Sequence, residues 1–148
     1  MIIRLATIDD LNSIKLLDKQ WEAESNIGGE SGIFYKKCIT AKRVYVAELN
    51  SSIVGFSLFT LKRAKKGEYS SLKKGQYYLF VDYIFVLKKY RSEGVGNKLL
   101  KTMEEYAKSI KVTSLYLYAV SDEPERLISF YKKKGYDVSY VMMYKKFN

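Results

Sequence analysis

The stretch VDYIFVLKKYRSEGVGNKLL, Val81 to Leu100, decides how the rest of the chain is read. It begins as a largely apolar run, the pattern of a strand buried on both faces. It then passes through Arg91-Ser92-Glu93-Gly94-Val95-Gly96 and ends in an amphipathic pattern that opens a helix. Two glycines one residue apart let the backbone take conformations that a side chain forbids. Such a loop leaves several amide N–H groups unpaired and aimed together at the helix start. Converging amides at a helix N-terminus hold an anion, and the helix dipole adds to the attraction. The ligand this predicts is a phosphate or pyrophosphate.

The spacing excludes two common phosphate loops. A Walker loop requires Gly-x-x-x-x-Gly-Lys-Ser/Thr, which is absent here. A dinucleotide fingerprint requires a third glycine where Leu99 stands. The pattern Arg-x-x-Gly-x-Gly after an apolar strand resembles instead the pyrophosphate loop of the GCN5-related N-acetyltransferases, the GNAT superfamily. A second match strengthens the resemblance. Phe130-Tyr131-Lys132-Lys133-Lys134-Gly135-Tyr136 is similar to that family's Phe-Tyr-x-x-x-Gly-Phe/Tyr helix end. The two motifs come in the family's order, and the resemblance extends from Met1 to Asn148. One position departs: Pro124 stands where the family often carries an asparagine. Proline suits the first turn of a helix, where its missing N–H costs nothing.

The resemblance implies an α/β (α+β) fold with a mixed, mostly antiparallel central sheet and helices on both faces. The pass along the chain supports the elements. Ile2 to Ala6 reads as a strand, followed by a capped helix with apolar Leu11, Ile14, Leu16, Leu17 and Trp21. Gly28 to Gly32 is a loop before a second helix near Phe34 to Thr40. Arg43 to Leu49 and Ile53 to Leu61 form a hairpin about Asn50-Ser51-Ser52. Gln76 to Val86 is the central strand, Gly96 to Ile110 a helix, Ser114 to Val120 a strand, and Pro124 to Lys134 a helix stopped by Gly135. Asp137 to Phe147 is expected to close the sheet as an antiparallel strand. The 148 residues, without repeats or linkers, are expected to form one domain, 1–148.

Composition narrows the chemistry. There is no histidine, so imidazole catalysis and histidine-ligated metal are excluded. The single cysteine, Cys38, excludes an internal disulfide, and with no cluster of Cys and carboxylates no metal site is expected. No apolar stretch is long enough to cross a membrane, and no signal segment is seen, so a cytoplasmic setting is expected. The net charge of +10 is read mainly as a lysine-rich soluble surface. Lys62, Arg63, Lys65, Lys66, Lys73 and Lys74 are concentrated around Glu68 in a Gly/Ser-containing stretch, expected to be a solvated hairpin tip. A basic run alone gives only salt-sensitive, non-specific nucleic-acid binding, so a nucleic-acid partner is the minority reading.

What the resemblance implies about function is an N-acetyltransferase using acetyl-CoA. Arg91, Ser92, Glu93, Gly94, Val95 and Gly96 would hold the pyrophosphate, with Asn97 and Lys98 adding contacts from the first helical turn. Lys88 and Lys89 are read either as further phosphate contacts or as plain surface lysines. The backbone of Phe85, Val86 and Leu87 would pair with the pantetheine arm, and the Val86 N–H would hold the acetyl carbonyl. Tyr131 is the candidate general acid for the departing thiolate, its other reading being a core aromatic. Asp82 is the only acid in Gln76 to Val86. It reads equally as a base acting through water or as a paired structural charge. Glu22, Glu24 and Glu30 are placed on the acceptor side, where negative charge suits a cationic amine, and a solvated helix face is their other reading. The reaction expected is direct transfer in a ternary complex to a primary amine, on a small molecule or a protein. A non-catalytic acyl-CoA-binding or nucleic-acid-binding module on the same fold is the alternative. A homodimer that pairs its late strands is compatible with the sequence.

Overall fold

The computed structural model describes residues 1–25, 28–119, 124–143 and 145–147. Strand β1 (Ile2–Leu5) leads through a 3-10 turn at Ile8–Asp10 into helix α1 (Leu11–Ser25). The turn is held by Asp10, whose carboxylate accepts from the Thr7 amide at 2.7 Å and from Arg4 at 2.7 and 2.9 Å. Helix α2 (Gly32–Thr40) starts at Ser31, whose hydroxyl accepts from the Phe34 amide at 3.1 Å. There follow β2 (Val44–Leu49), β3 (Ser52–Arg63), β4 (Tyr77–Val86), α3 (Val95–Ser109), β5 (Leu115–Leu117) and α4 (Pro124–Lys132).

The strands form one sheet in the order β1-β2-β3-β4-β5. The first four are antiparallel and β5 runs parallel to β4. Strand alternation sends Phe56, Leu58 and Phe85 to one face, where α1 and α2 cover them with Ile14, Leu17 and Tyr35. Phe59, Leu79 and Val81 go to the other face, against Leu100, Met103 and Ala107 of α3. Val54 and Val86 join Val95 and Leu99 there. The fold is therefore α/β, with a mixed, mostly antiparallel sheet flanked by helices on both faces.

One expectation is corrected. No strand is formed among the described residues of the expected closing segment, Asp137 to Phe147. Its described residues have no regular structure, and Val138, Val141, Met142 and Met143 are exposed. A strand exists through its ladder, and β5, at three residues, offers a short one. The consecutive Val141-Met142-Met143 also breaks the alternation a half-buried strand requires. The predicted end of β5 at Val120 lies outside the described residues. The basic stretch joins β3 to β4 as the expected hairpin connection, with Arg63, Lys65, Lys66, Lys73 and Lys74 exposed, and it is anchored from beneath. Ala64 and Leu72 are buried with Tyr78 and Phe80, and Tyr69 and Tyr116 pack against them.

Candidate functional site

The site begins with an irregularity in β4. Leu79 and Val81 pack toward α3, as do Ile84 and Val86, yet two residues stand between the pairs. The register explains the step: Leu58 pairs with Tyr83 and Phe59 with Val81, leaving Asp82 with no opposite number. This is a β-bulge, and it turns Asp82 and Tyr83 onto the same face. The Asp82 carboxylate accepts from Thr60 Oγ1 at 2.7 Å. Thr60 lies two residues beyond Leu58, on the side covered by α1 and α2.

Among the described residues, the ladder of β4 with β5 covers Leu79 to Val81, and none pairs with the outer edge of β4 beyond the bulge. The Leu87 amide donates inward to the Val54 carbonyl at 3.0 Å. The Val86 carbonyl instead accepts from Arg91 Nε at 2.8 Å, away from β3. The N–H and C=O of one strand residue point the same way, so the Val86 N–H, and that of Ile84, face the open edge.

The glycine loop continues from this edge. A 3-10 turn at Lys88–Tyr90 is followed by Arg91 in extended conformation, Ser92 at φ 69° and Gly94 at φ 80°. The left-handed Gly94 is the position that requires glycine. A Cβ there meets nothing within 4 Å, so backbone conformation and not crowding is the constraint. Gly96 is different. It lies in the first turn of α3, and a Cβ on it would rest 3.8 Å from Val86, an ordinary contact. Nothing in the chain's own packing demands glycine at 96. Among the described residues, no acceptor is found for the amides of residues 92–97, whereas the Lys98 amide bonds the Gly94 carbonyl at 3.0 Å. These donors open the positive end of α3. The Arg91 side chain turns inward, bonding the Val86 carbonyl and Glu24 and covering the Phe85 ring at 5.4 Å.

The opposite face gathers acids. Asp18, 1% exposed, accepts from the Tyr35 hydroxyl at 2.7 Å and from the Glu30 amide at 2.8 Å. It thereby fixes the loop after α1. The Glu30 carboxylate then accepts from the Tyr83 hydroxyl at 2.7 Å. Burial first, then this bond and the charges of Glu30, Asp82 and Asp18, hold the Tyr83 phenol well above its ordinary range. Trp21 meets Tyr83 edge-on at 5.2 Å and stacks on Phe85 at 5.6 Å. The structure thus brings Glu30 and Asp82 together around Tyr83. It does not bring Glu24 there, because that carboxylate is paired with Arg91. Glu22 is exposed beside Gly29.

Tyr131 is half-buried on the α3 side, packed with Tyr136 against the cluster that also receives Ile84. Burial raises its phenol pKa, and among the described residues its hydroxyl has no hydrogen-bond partner. Lys134 was not singled out from sequence. Its ammonium bonds Asn97 Oδ1 at the first turn of α3 and lies 4.7 Å over the Phe130 ring. Asp18, Thr60 and Tyr83 were missed as well. Asp18 had a readable signal, an acid on the helix stripe between Ile14 and Trp21. Thr60 and Tyr83 had none without the bulge. A polar cleft of about 490 Å³ shares only Leu87 with these residues. Among the described residues no group of three His, Cys, Asp or Glu is placed to hold a metal, and no helix is long and apolar enough to cross a membrane.

Known proteins share this architecture. The chain is similar in fold to a tetramutant of the BH1408 protein from Bacillus halodurans, at 20% identity over 99% of this chain and 100% of that one, TM-score 0.80. It is similar to a ribosomal-protein-alanine N-acetyltransferase from Brucella melitensis biovar Abortus 2308, at 17% identity over 99% of both chains, TM-score 0.71. An aminoglycoside antibiotic 6'-N-acetyltransferase from Acinetobacter haemolyticus also superposes, at 17% identity over 100% of this chain and 99% of that one, TM-score 0.73. At these identities the likeness concerns the fold alone. No curated protein sequence matches the chain. A model of the acetyltransferase (GNAT) family matches residues 13–136, a span that holds the bulged strand, the glycine loop and the helix ending at Gly135. With both motifs inside that match, the chain belongs to the acetyltransferase (GNAT) family.

Proposed function

We propose that the protein moves an acetyl group from acetyl-CoA to a primary amine by direct transfer in a ternary complex. Fold and family support acetyltransferase activity in general. One observation carries the finer reading: the unpartnered amides of residues 92–97 at the start of α3 continue directly from the open edge of β4. The first suits a diphosphate and the second an amide-bearing arm added as a strand. The unfilled slot at Gly96 fits the same coenzyme.

Bound acetyl-CoA supplies an acyl group activated as a thioester. The chain's residues then do the rest. The outward N–H of Val86 or Ile84 is a fixed donor for a developing oxyanion. Losing such a donor typically costs about 3 kcal/mol of barrier. Asp82, held by Thr60, takes the amine proton through a water, and the neighbouring Glu30 favours a cationic acceptor. Tyr131, kept protonated by burial, returns a proton to the thiolate. Direct transfer is supported by Cys38, which is buried, bonded by Arg43 at 3.4 Å, and pushed by burial toward the unreactive thiol.

The test is release of free thiol from acetyl-CoA by the purified protein across a panel of primary amines. Amine-dependent release supports the reading. Tight coenzyme binding with no release on any amine overturns it in favour of a binding module.

A further inference from the structure

We propose that the acceptor is an acidic polypeptide, held with its reacting amine beside Asp82 and its carboxylates along the basic stretch Lys62 to Lys74. This rests on the acetyl-transfer reading above and names its substrate class. The observation is an ordering of charge along one face of β4. Tyr83 comes first, with Glu30, then Asp82 with Thr60. Phe80 is next on that face; its ring meets Tyr118 at 5.2 Å and carries the Lys62 ammonium 3.7 Å from its centre. Beyond it Lys62 pairs with Tyr78 on the same face, and the loop with Lys65, Lys66, Lys73 and Lys74 follows. Side chains two residues apart on a strand stand roughly 7 Å from each other. The acidic end and the basic end are therefore separated by the span of a few peptide residues.

The basic end is a built surface. Ala64 and Leu72 are buried against Tyr78 and Phe80. The Ala64 amide donates to the Gln76 carbonyl at 2.8 Å, and the Gly75 amide to the Ala64 carbonyl at 2.8 Å. Glu68, the one acid in the stretch, spends its carboxylate on the Lys65 amide at 2.8 Å and the Tyr78 hydroxyl at 2.7 Å. Among the described residues, no ion pair involves Lys62, Arg63, Lys65, Lys66, Lys73 or Lys74. Tyr118, whose ring meets Phe80, is 63% exposed.

The partner must therefore supply a basic alkyl amine at one end and several spaced negative charges at the other. A polynucleotide has the charge, but its exocyclic base amines are poor nucleophiles and its phosphates would meet Glu30 and Asp82. A small anion engages a fraction of the cations. An acidic polypeptide has both features.

The experiment compares two peptides of equal length with the same N-terminal residue, one acidic downstream and one basic, each with acetyl-CoA. The acidic peptide is expected to show about tenfold higher kcat/KM, carried by KM, which is what a few rim charge pairs are worth together. The advantage is expected to shrink as salt rises. The combined Lys65→Glu, Lys66→Glu and Lys73→Glu variant is expected to reverse the order while coenzyme affinity and melting temperature stay unchanged. Equal rates on the two peptides, or a preference that survives the reversal, overturn the inference and leave acetyl transfer standing. Turnover of small alkylamines alone does the same. No thiol release with any amine overturns the transferase reading and this inference with it.

Discussion

Arg91 Nε donates to the carbonyl of Val86 at 2.8 Å, tying the first residue of the glycine loop to the last residue of the central strand. The same guanidinium bonds Glu24 at the end of α1. Arg91 therefore sets the loop's geometry from within, while its backbone opens the anion site. Replacing it with methionine is expected to cost about 1–2 kcal/mol in denaturant unfolding, the scale of a partly exposed charge-assisted hydrogen bond. Glu24→Gln is expected to cost under about 1 kcal/mol, because that pair is solvent-exposed. Equal costs would contradict the assignment of the stronger bond to Val86.

The two glycines of the loop separate conformation from ligand space. Gly94→Ala puts a side chain at φ 80° and is expected to destabilise the fold by about 1–2 kcal/mol. Gly96→Ala places its methyl 3.8 Å from Val86 in a helical turn and is expected to leave the melting temperature unchanged or slightly raised. It is nevertheless expected to weaken acetyl-CoA binding by about tenfold or more, since the methyl fills the slot beside the open amides. Calorimetric titration reads the affinities; undiminished binding by the Gly96 variant would remove the slot from the coenzyme path.

Tyr131→Phe removes a hydroxyl with no partner among the described residues, so stability is expected to hold. If Tyr131 protonates the thiolate, the transfer rate falls about 100-fold with coenzyme affinity intact. Asp82→Asn is expected to lower the rate likewise, with the bond to Thr60 retained by the amide oxygen. Single-turnover thiol release measures both; a Phe variant with full rate would return Tyr131 to the role of a core aromatic.

Alkaline pH is expected to destabilise the protein more than its charge alone would. Burial, followed by bonds to Asp18, Glu30 and Glu104, raises the phenols of Tyr35, Tyr83 and Tyr136. A folded-state value above the unfolded one, near 10, means stability fully present below about pH 10 and lost as pH rises through the raised values. Thermal melts between about pH 9 and 11.5 are expected to show a steep fall, reduced in slope by Tyr136→Phe. A flat profile would contradict the buried phenol pairs.

The glycine loop and the helix ending at Gly135 were legible because each is local: turn chemistry and helix periodicity are written in adjacent residues. The bulge at Asp82 was not, since it exists only through the register with β3. The acid in the central strand stands out in the sequence, but its sharing a face with Tyr83 does not. Glu24 and Glu30 lie close in sequence and end at different places, one on Arg91 and one on Tyr83, because the loop between them turns back onto Asp18. Lys134 reaches Asn97 across 37 residues of chain, a contact that no spacing announces. The closing strand failed for the opposite reason: its apolar composition was readable, but a strand also requires a partner edge.

The central claim is that main-chain amides of residues 92–97, together with that of Val86, hold the coenzyme. Amide NMR of isotope-labelled protein titrated with acetyl-CoA tests it most directly. The account predicts that the amide signals of Ser92 to Asn97, Ile84 and Val86 shift first and furthest, with smaller changes on α1. Saturable binding that leaves those amides unmoved, or shifts confined to the far end of the sheet, would contradict it.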